Sequence, residues 1–359
     1  MIYDKLELTA IYIDSFEFLD YKLKSTFLSF VSDGDELKVA VSKMKRFLSE
    51  DDFSTLSNSA NNDYIKEIIS SIERENAVAI TKYSKNYPKY LNDIFCPPIV
   101  LYAKGNLELL NAKNRFAIVG SRRCLSTDKK TAEHFASELS NAGITVVTGI
   151  AEGCDSSAIK GALKSGNIIS VTAGGFDKVY PKENADLFTS VEKHGLCISE
   201  QRPSVKPMPY MYPYRNRIIA GLSHGVLVVA AGLRSGTLHT VSYALDQGKD
   251  IFAIPHDIGS ASGEGCNNLI KSGAYLTDTP DDIISYFGIE KPKEKKIELE
   301  GFERELYEII KEEGSAHIDL LSLKTGKKMY ELIATLSMLE IKGAIVKSAG
   351  NYYSTILSD

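Results

Sequence analysis

The middle of the chain carries a regular alternation of short apolar runs and amphipathic stretches. Apolar runs begin near Phe116, Ile144, Ile168, Leu196, Gly225 and Asp250, and they recur every 24–29 residues. Continuous apolar runs of this length suit strands buried on both faces, as parallel strands are. Between the first two runs, Thr127 to Ala142 places Ala132, Phe135, Ala136 and Leu139 on one helical face and stops at Gly143. Six strands alternating with helices predict an α/β fold, a doubly wound and mostly parallel sheet of extended Rossmann-like type.

The flanks read differently. Residues 1–76 are rich in Leu, Phe, Ile, Lys and Glu and contain no proline, with polar breaks at Ser32-Asp33-Gly34 and Ser57-Asn58-Ser59. They predict a small helical domain. Residues 77–110 carry Tyr87-Pro88 and Pro97-Pro98 before Ile99-Val100-Leu101-Tyr102, an irregular lead-in ending in a strand. The expected boundaries are therefore a core over 77–289, a charged, proline-containing linker over 290–299 and a last domain over 300–359. In that last segment Phe302, Leu306, Ile309 and Ile310 form a helical stripe. Ile318 to Ser322 starts a second helix, Met329 to Ile341 a third, and two strands flank Ala349-Gly350. Three helices and a hairpin are a winged-helix layout, which suggests DNA contact by analogy.

Charge narrows the chemistry. The 359 residues hold 42 Lys+Arg against 47 Asp+Glu, a net of −5, which excludes a polycation that coats nucleic acid. The net is −4 over residues 1–110, +1 over 111–289 and −2 over 290–359, so an anion site belongs in the middle block. The last segment's acidity is poor for a phosphate-dominated interface and equally suits protein interaction. Five scattered cysteines predict free thiols in a reducing compartment. With no secretory pattern at the start and no apolar run of about 20 residues, a cytoplasmic protein without membrane contact is expected.

Ligands of such sheets sit at the carboxyl ends of the strands. Gly120-Ser121-Arg122-Arg123 follows the first run, where glycine admits close backbone approach, the hydroxyl bonds a phosphate oxygen and the guanidinium pairs with it. It lacks the later glycines of a dinucleotide fingerprint, and no Walker-type loop occurs. Gly149, in a loop with Gly153 and Asp155, and Gly174-Gly175 face the same side, although turns alone account for their glycines. Tyr212-Pro213-Tyr214-Arg215-Asn216-Arg217 opens a helix, whose amino end also favours anions. Ser235-Gly236-Thr237 supplies one more hydroxyl-and-glycine loop. Tyr210, Tyr212 and Tyr214 offer surfaces for base stacking, and Lys206 and Arg202 extend a basic track. Histidines show no metal-ligand spacing, His239 reads as a helix-face residue, and Asp155 and Asp177 are the candidate hydrolytic carboxylates, with capping roles equally sufficient.

The ordered segments AIVGSRRCLS, VVTGIAEGCDSSAIKGAL, GGFDKVYPKEN, LCISEQRP, YPYRNRIIAGLS, VLVVAAGLRSGTLHTVSYALDQGKDIFAIP and GCNNLIKSGA resemble the DNA-processing protein A (Smf) family over about residues 78–285. The ending LEIKGAIVKSAGNYYS is similar to the winged helix many members carry. Residues 1–76 take the place of the family's small helical domain, of the sterile-alpha-motif or helix-hairpin-helix kind. The resemblance implies a non-catalytic, cofactor-free single-stranded DNA-binding protein of natural transformation that protects incoming strands, loads the RecA recombinase and forms homodimers through its core. It assigns the phosphate pocket to Gly120, Ser121, Arg122, Tyr212, Arg215, Asn216 and Arg217. The chain departs from the pattern at Ile159, at His256 and at Tyr212, where phenylalanine is common. A nucleoside-monophosphate phosphoribohydrolase is the alternative, since Leu233 to Thr237 keeps a Gly-Thr pair, but no glutamate follows within several residues. A nucleotide-sensing module is a third reading of the same crevice.

Overall fold

The computed structural model describes residues 3–32, 34, 36–289, 299–348 and 350–355, the side chain of Lys178 excepted. Most of the linker expected over 290–299 lies outside these residues, as do Asp33 of the first polar break and Ala349 of the hairpin turn. The chain divides into two compact units, Met1–Ile289 and Glu290–Asp359.

The first unit opens with five helices, α1 (Lys5–Asp14), α2 (Tyr21–Ser32), α3 (Leu37–Met44), α4 (Glu50–Asn58) and α5 (Asn62–Arg74). Asp4 and Glu7 form a capping box on α1, so two of the helix's otherwise unpaired amides are satisfied before the chain turns. These helices close on Tyr12, Phe16, Phe27 and Tyr64, whose rings meet at centroid distances of 5.1–6.2 Å. They share one compact unit with the sheet, to which they are tied by hydrogen bonds. The Ala79 amide donates to the Tyr3 hydroxyl at 3.1 Å, and the Tyr102 hydroxyl donates to Asp14 Oδ2 at 3.0 Å.

The sheet contains β1 (Val78–Thr81), β2 (Val100–Gly105), β3 (Arg115–Val119), β4 (Thr145–Thr148), β5 (Ile168–Thr172), β6 (Leu196–Ser199), β7 (Gly225–Val228), β8 (Asp250–Ala253) and β9 (Tyr275–Leu276). Their order is β1-β2-β6-β5-β4-β3-β7-β8-β9. β6 through β9 in that order are parallel, and β1 and β2 add an antiparallel edge. Each of the six apolar runs is a strand, the strand expected at the end of the lead-in is β2, and β1 and β9 join them. Within β3 the residues alternate between two cores: Phe116 and Ile118 enter one, Ala117 and Val119 the other. This two-sided burial is why the runs are continuously apolar rather than alternating.

The connecting helices are α6 (Ser126–Asn141), α7 (Cys154–Ala162), α8 (Ala185–His194), α9 (Met211–Leu222), α10 (Thr237–Asp246), α11 (Glu264–Lys271) and α12 (Pro280–Tyr286). The expected stripe of α6, Ala132, Phe135, Ala136 and Leu139, is buried. Gly143 ends the segment with φ +77°, a left-handed turn that a side chain would strain. The chain runs from β3 to β4 on one side and from α9 into β7 on the other side of β3. That reversal opens a crevice at the carboxyl ends of β3 and β7.

The second unit holds α13 (Phe302–Glu313), β10 (Ala316–His317), α14 (Ile318–Thr325), α15 (Met329–Ile341), β11 (Ile345–Ser348) and β12 (Tyr352–Thr355), with a small sheet ordered β10-β12-β11. Leu306, Ile310, Leu321, Leu332, Leu336, Leu339 and Ile345 form its core. The five cysteines are free, Cys96 and Cys124 half-buried and the other three buried. Among the described residues no helix is long and apolar enough to cross a membrane.

Candidate nucleic-acid interface

The crevice at the β3–β7 switch point is a cavity of about 840 Å³. Its floor begins where β3 ends. Gly120 lies against Cys154, and a Cβ there would collide with the Cys154 side chain, so the loop is seated as closely as glycine allows. The Ser121 amide donates to the Ala230 carbonyl at 2.8 Å, which ties the loop to the chain beyond β7. The Ser121 hydroxyl donates to the Arg123 carbonyl at 3.0 Å and accepts from the Arg123 amide at 3.2 Å, closing a local turn. Arg122 and Arg123 emerge exposed from that turn, both lining the cavity.

α9 forms the opposite wall. Pro213 sits in its first turn, where the missing N–H has no intrahelical partner to lose. Tyr212 lines the cavity, with the Arg122 guanidinium 5.1 Å from its ring centre and the Tyr180 ring 6.3 Å away at 70°. Arg215 is buried below them. It donates to the Val171 carbonyl through Nη1 and to Asn216 Oδ1 through Nε at 3.2 Å. At the start of α10, Ser235 Oγ accepts from the Thr237 amide at 3.3 Å, while Gly236 stands exposed to the cavity.

Asp155 lies beside Arg215 at the cavity floor, both buried. Burial pushes its carboxyl up to about 6, against the opposing pull of Arg215, the Ala151 amide, Arg122 and Thr148. Burial likewise brings the Arg215 guanidinium down to about 10, with Asp155 working the other way. For both groups removal from water outweighs their mutual attraction. A phosphate in the cavity would therefore meet an arginine whose charge is incompletely compensated. Around the cavity stand five cations, Arg122, Arg123, Lys182, Lys206 and Arg215, against the single carboxylate of Asp155.

Several expected ligands stand elsewhere. Arg217 points to the other side of α9, its side chain fully buried, with Nη2 donating to Glu200 Oε1 at 2.5 Å and to the Cys96 carbonyl at 2.8 Å. Its guanidinium stacks 3.9 Å from the Tyr214 ring centre. Helical geometry explains the correction: Arg215 and Arg217 are two residues apart, about 200° around the axis. Gly149 does not line the cavity but gives room beneath it, since a Cβ there would run into Asp155 Oδ2 and the Arg215 guanidinium. Gly174 and Gly175 are covered by Pro207 and by the backbone of Arg202 and Pro203, so they admit the following loop rather than a ligand. Arg202 pairs with Glu17 at 3.2 Å, away from the basic track proposed for it. Tyr210 and Tyr214 line a smaller cavity of about 320 Å³ beside α1 and α2. Asp177 is exposed and outside the crevice, whereas His239 lines it.

The sequence profile of the family described as DNA recombination-mediator protein A matches residues 78–288. The chain belongs to this family. It is 36% identical to the DNA processing protein DprA of Bacillus subtilis over 221 residues, 61% of this chain and 74% of that protein. It is 34% identical to the protein Smf of Escherichia coli over 296 residues, 78% of each chain. The crystal structure of DprA from Streptococcus pneumoniae superposes with a TM-score of 0.69 at 29% identity, covering 79% of this chain and 98% of that one. DNA processing protein A from Helicobacter pylori, whose structure concerns that protein's single-stranded DNA binding mode, gives 0.53 at 27% identity, over 59% of this chain and 95% of that one.

In this member of the DNA recombination-mediator protein A family, Tyr180, Lys182, Pro207, Pro209 and Thr240 line the crevice unforeseen. Tyr180 and Lys182 belong to the run Val179-Tyr180-Pro181-Lys182, whose aromatic–proline–cation pattern was the available signal. Pro207 and Pro209 had only their closeness to Lys206.

Proposed function

We propose that the protein binds single-stranded DNA in the β3–β7 crevice and acts in DNA processing during natural transformation. The supporting observation is the convergence of five cations with two tyrosines on one cavity at the switch point. Arg122, Arg123, Lys182, Lys206 and Arg215 neutralise backbone phosphates, and Tyr212 with Tyr180 presents ring faces to unstacked bases, a contact that tolerates any base sequence. Gly120, Ser121, Asn216, Ser235, Gly236 and Thr237 shape the walls and supply backbone amides and hydroxyls. A cavity of about 840 Å³ walled by loops and α9 suits flexible single strands better than a rigid duplex.

Within this reading the protein is a non-catalytic, cytoplasmic homodimer that passes its strand to a RecA-type recombinase. Family membership supports that part. Residues 1–76 and the unit beyond residue 299 act as accessory modules, the latter as a winged helix.

Binding to oligothymidylate of increasing length tests the site. Affinity is expected to rise with length, to fall with salt and to exceed that for duplex of equal length. Arg122→Ala is expected to weaken it by about ten- to hundredfold, the loss of a charge-assisted phosphate contact of about 1.5–3 kcal/mol. Unchanged affinity would remove the crevice from the reading. Competition by a mononucleotide with equal affinity per phosphate would instead favour a nucleotide-binding module.

A further inference from the structure

α15 has two apolar faces. Leu332, Leu336 and Leu339 are buried in the core of the second unit. On the other side Tyr330, Ile333, Ala334, Ser337, Met338 and Ile341 follow one another at helical spacing, and all six are exposed, Tyr330 at 66% and Ile341 at 82%. A helix that is apolar on both sides is built to be covered on both. The outer face carries none of the cations or amides with which a helix reads phosphates and base edges in a groove, so duplex DNA does not fit it.

The order of residues along this face selects its occupant. The six positions are symmetric about the point between Thr335 and Leu336: Tyr330 mirrors Ile341, Ile333 mirrors Met338, and Ala334 mirrors Ser337. Two copies laid antiparallel across a two-fold axis at that point would bring the small Ala334 and Ser337 together at the crossing, where helices need close approach. Tyr330 of each copy then meets Ile341 of the other on the midline of the contact, while Ile333 and Met338, five residues and so about 140° apart around the helix, cover its two edges.

Charge favours the same arrangement. Glu331 and Lys342 are eleven residues apart, about three helical turns, and so share one flank at opposite ends of α15. Antiparallel pairing places Glu331 of each copy beside Lys342 of the other, whereas parallel pairing sets like charge against like. Lys342 holds Glu303 at 2.6 Å within its own copy, and Glu331 of the second copy adds another carboxylate to that cation. The opposed helix dipoles also agree.

We propose that the outer face of α15 is a homotypic interface that joins two copies of this chain, antiparallel, through Ala334–Ser337 contacts at the axis and Tyr330–Ile341 contacts on either side of it. It is independent of nucleic-acid binding and of any other contact between copies. A single helix pair falls short of the roughly 1,200 Å² of a standard stable interface, so the association is concentration-dependent.

Sedimentation velocity of the full chain across a concentration series tests it. The wild-type chain is expected to reach twice the mass of whatever species Tyr330→Lys forms, because a lysine there faces an apolar surface. Ile341→Glu should behave alike, each weakening association by about tenfold or more. The double variant Tyr330→Lys with Ile341→Glu sets each lysine against the other copy's glutamate, and is expected to restore the doubling. Both positions are exposed, so thermal melting monitored by circular dichroism should be unchanged in all three. Equal mass for wild type and Tyr330→Lys at every concentration overturns the proposal, as happens when the face is covered within one chain or by another partner. Failure of the double variant to restore association overturns the antiparallel register.

Discussion

The two sides of α9 present the same residue types in opposite employment. Toward the crevice stand Arg215 and Tyr212; toward the N-terminal helices stand Arg217 and Tyr214. On the crevice side burial lowers the Arg215 charge preference, Asp155 compensates it only in part, and Tyr212 lies in the cavity wall under an exposed arginine. On the far side burial also works against the Arg217 charge, but Glu200 outweighs it and the guanidinium is raised. Three acceptor contacts and a stacked ring leave that arginine nothing to offer a ligand. An arginine is therefore a candidate ligand by what remains unsatisfied around it, not by its place in a motif.

The sharpest way to break this comparison is to remove Arg217. Arg217→Ala leaves Glu200 without its partner in a mostly buried setting and opens space against Tyr214. The expected cost is about 3–5 kcal/mol of folding stability, the range for breaking a buried ion pair from one side. Chemical denaturation would read it as a lower midpoint at constant slope. Residual folded protein should keep its affinity for single strands. Arg122→Ala gives the reverse pattern, lost affinity with an unchanged midpoint. An Arg217→Ala chain that unfolds normally but no longer binds would place Arg217 back among the ligands.

The parallel sheet was legible because two-sided burial writes itself as uninterrupted apolar runs, as at Phe116 to Val119. The edge was less so: β9 has two residues, both exposed, and β1 is set by pairing with β2 rather than by its own pattern. In the site, the loop at Gly120 to Arg123 was readable, since a strand end followed by glycine, hydroxyl and cations implies an anion. Arg217 was not, because its assignment depends on Glu200 and the Cys96 carbonyl, groups 17 and 121 residues away. The glycines at 174 and 175 misled for a related reason. Close approach was required there, but the approaching group is the chain's own Pro203 to Pro207.

The tyrosines sharpen the same contrast with a smaller effect. Tyr212→Ala removes a ring from the crevice wall and is expected to weaken single-strand binding by about 1–3 kcal/mol, the range for one base–aromatic stack. Tyr212→Phe should retain most of that affinity, because the ring face and not the hydroxyl makes the contact. Tyr214→Ala should leave affinity unchanged and lower thermal stability, since its ring covers Arg217. Fluorescence anisotropy with labelled oligothymidylate, run beside thermal melts, separates the two. Equal affinity losses in both would show that α9 acts as one surface.

The smallest expected effect concerns Asp155, the one carboxylate among the crevice cations. Its folded value of about 6 lies above the ordinary aspartate value, so the folded protein holds this proton more tightly than the unfolded chain does. The stability linked to it is fully present below the unfolded value, near 4, and is lost as pH rises through about 6. Binding follows the same titration. Below about pH 6 the carboxyl is neutral, Arg215 is freed of its opposing charge, and phosphate is held more firmly. Affinity for single strands is thus expected to rise several-fold, about 1 kcal/mol, as pH falls from 7 to 5 at constant ionic strength. Asp155→Asn should bind at pH 7 about as well as the parent does at pH 5 and should lose that part of the pH dependence. An Asp155→Asn profile identical to the parent's would mean that the phosphate is bound out of reach of Arg215, on the exposed rim formed by Arg122, Arg123 and Lys206.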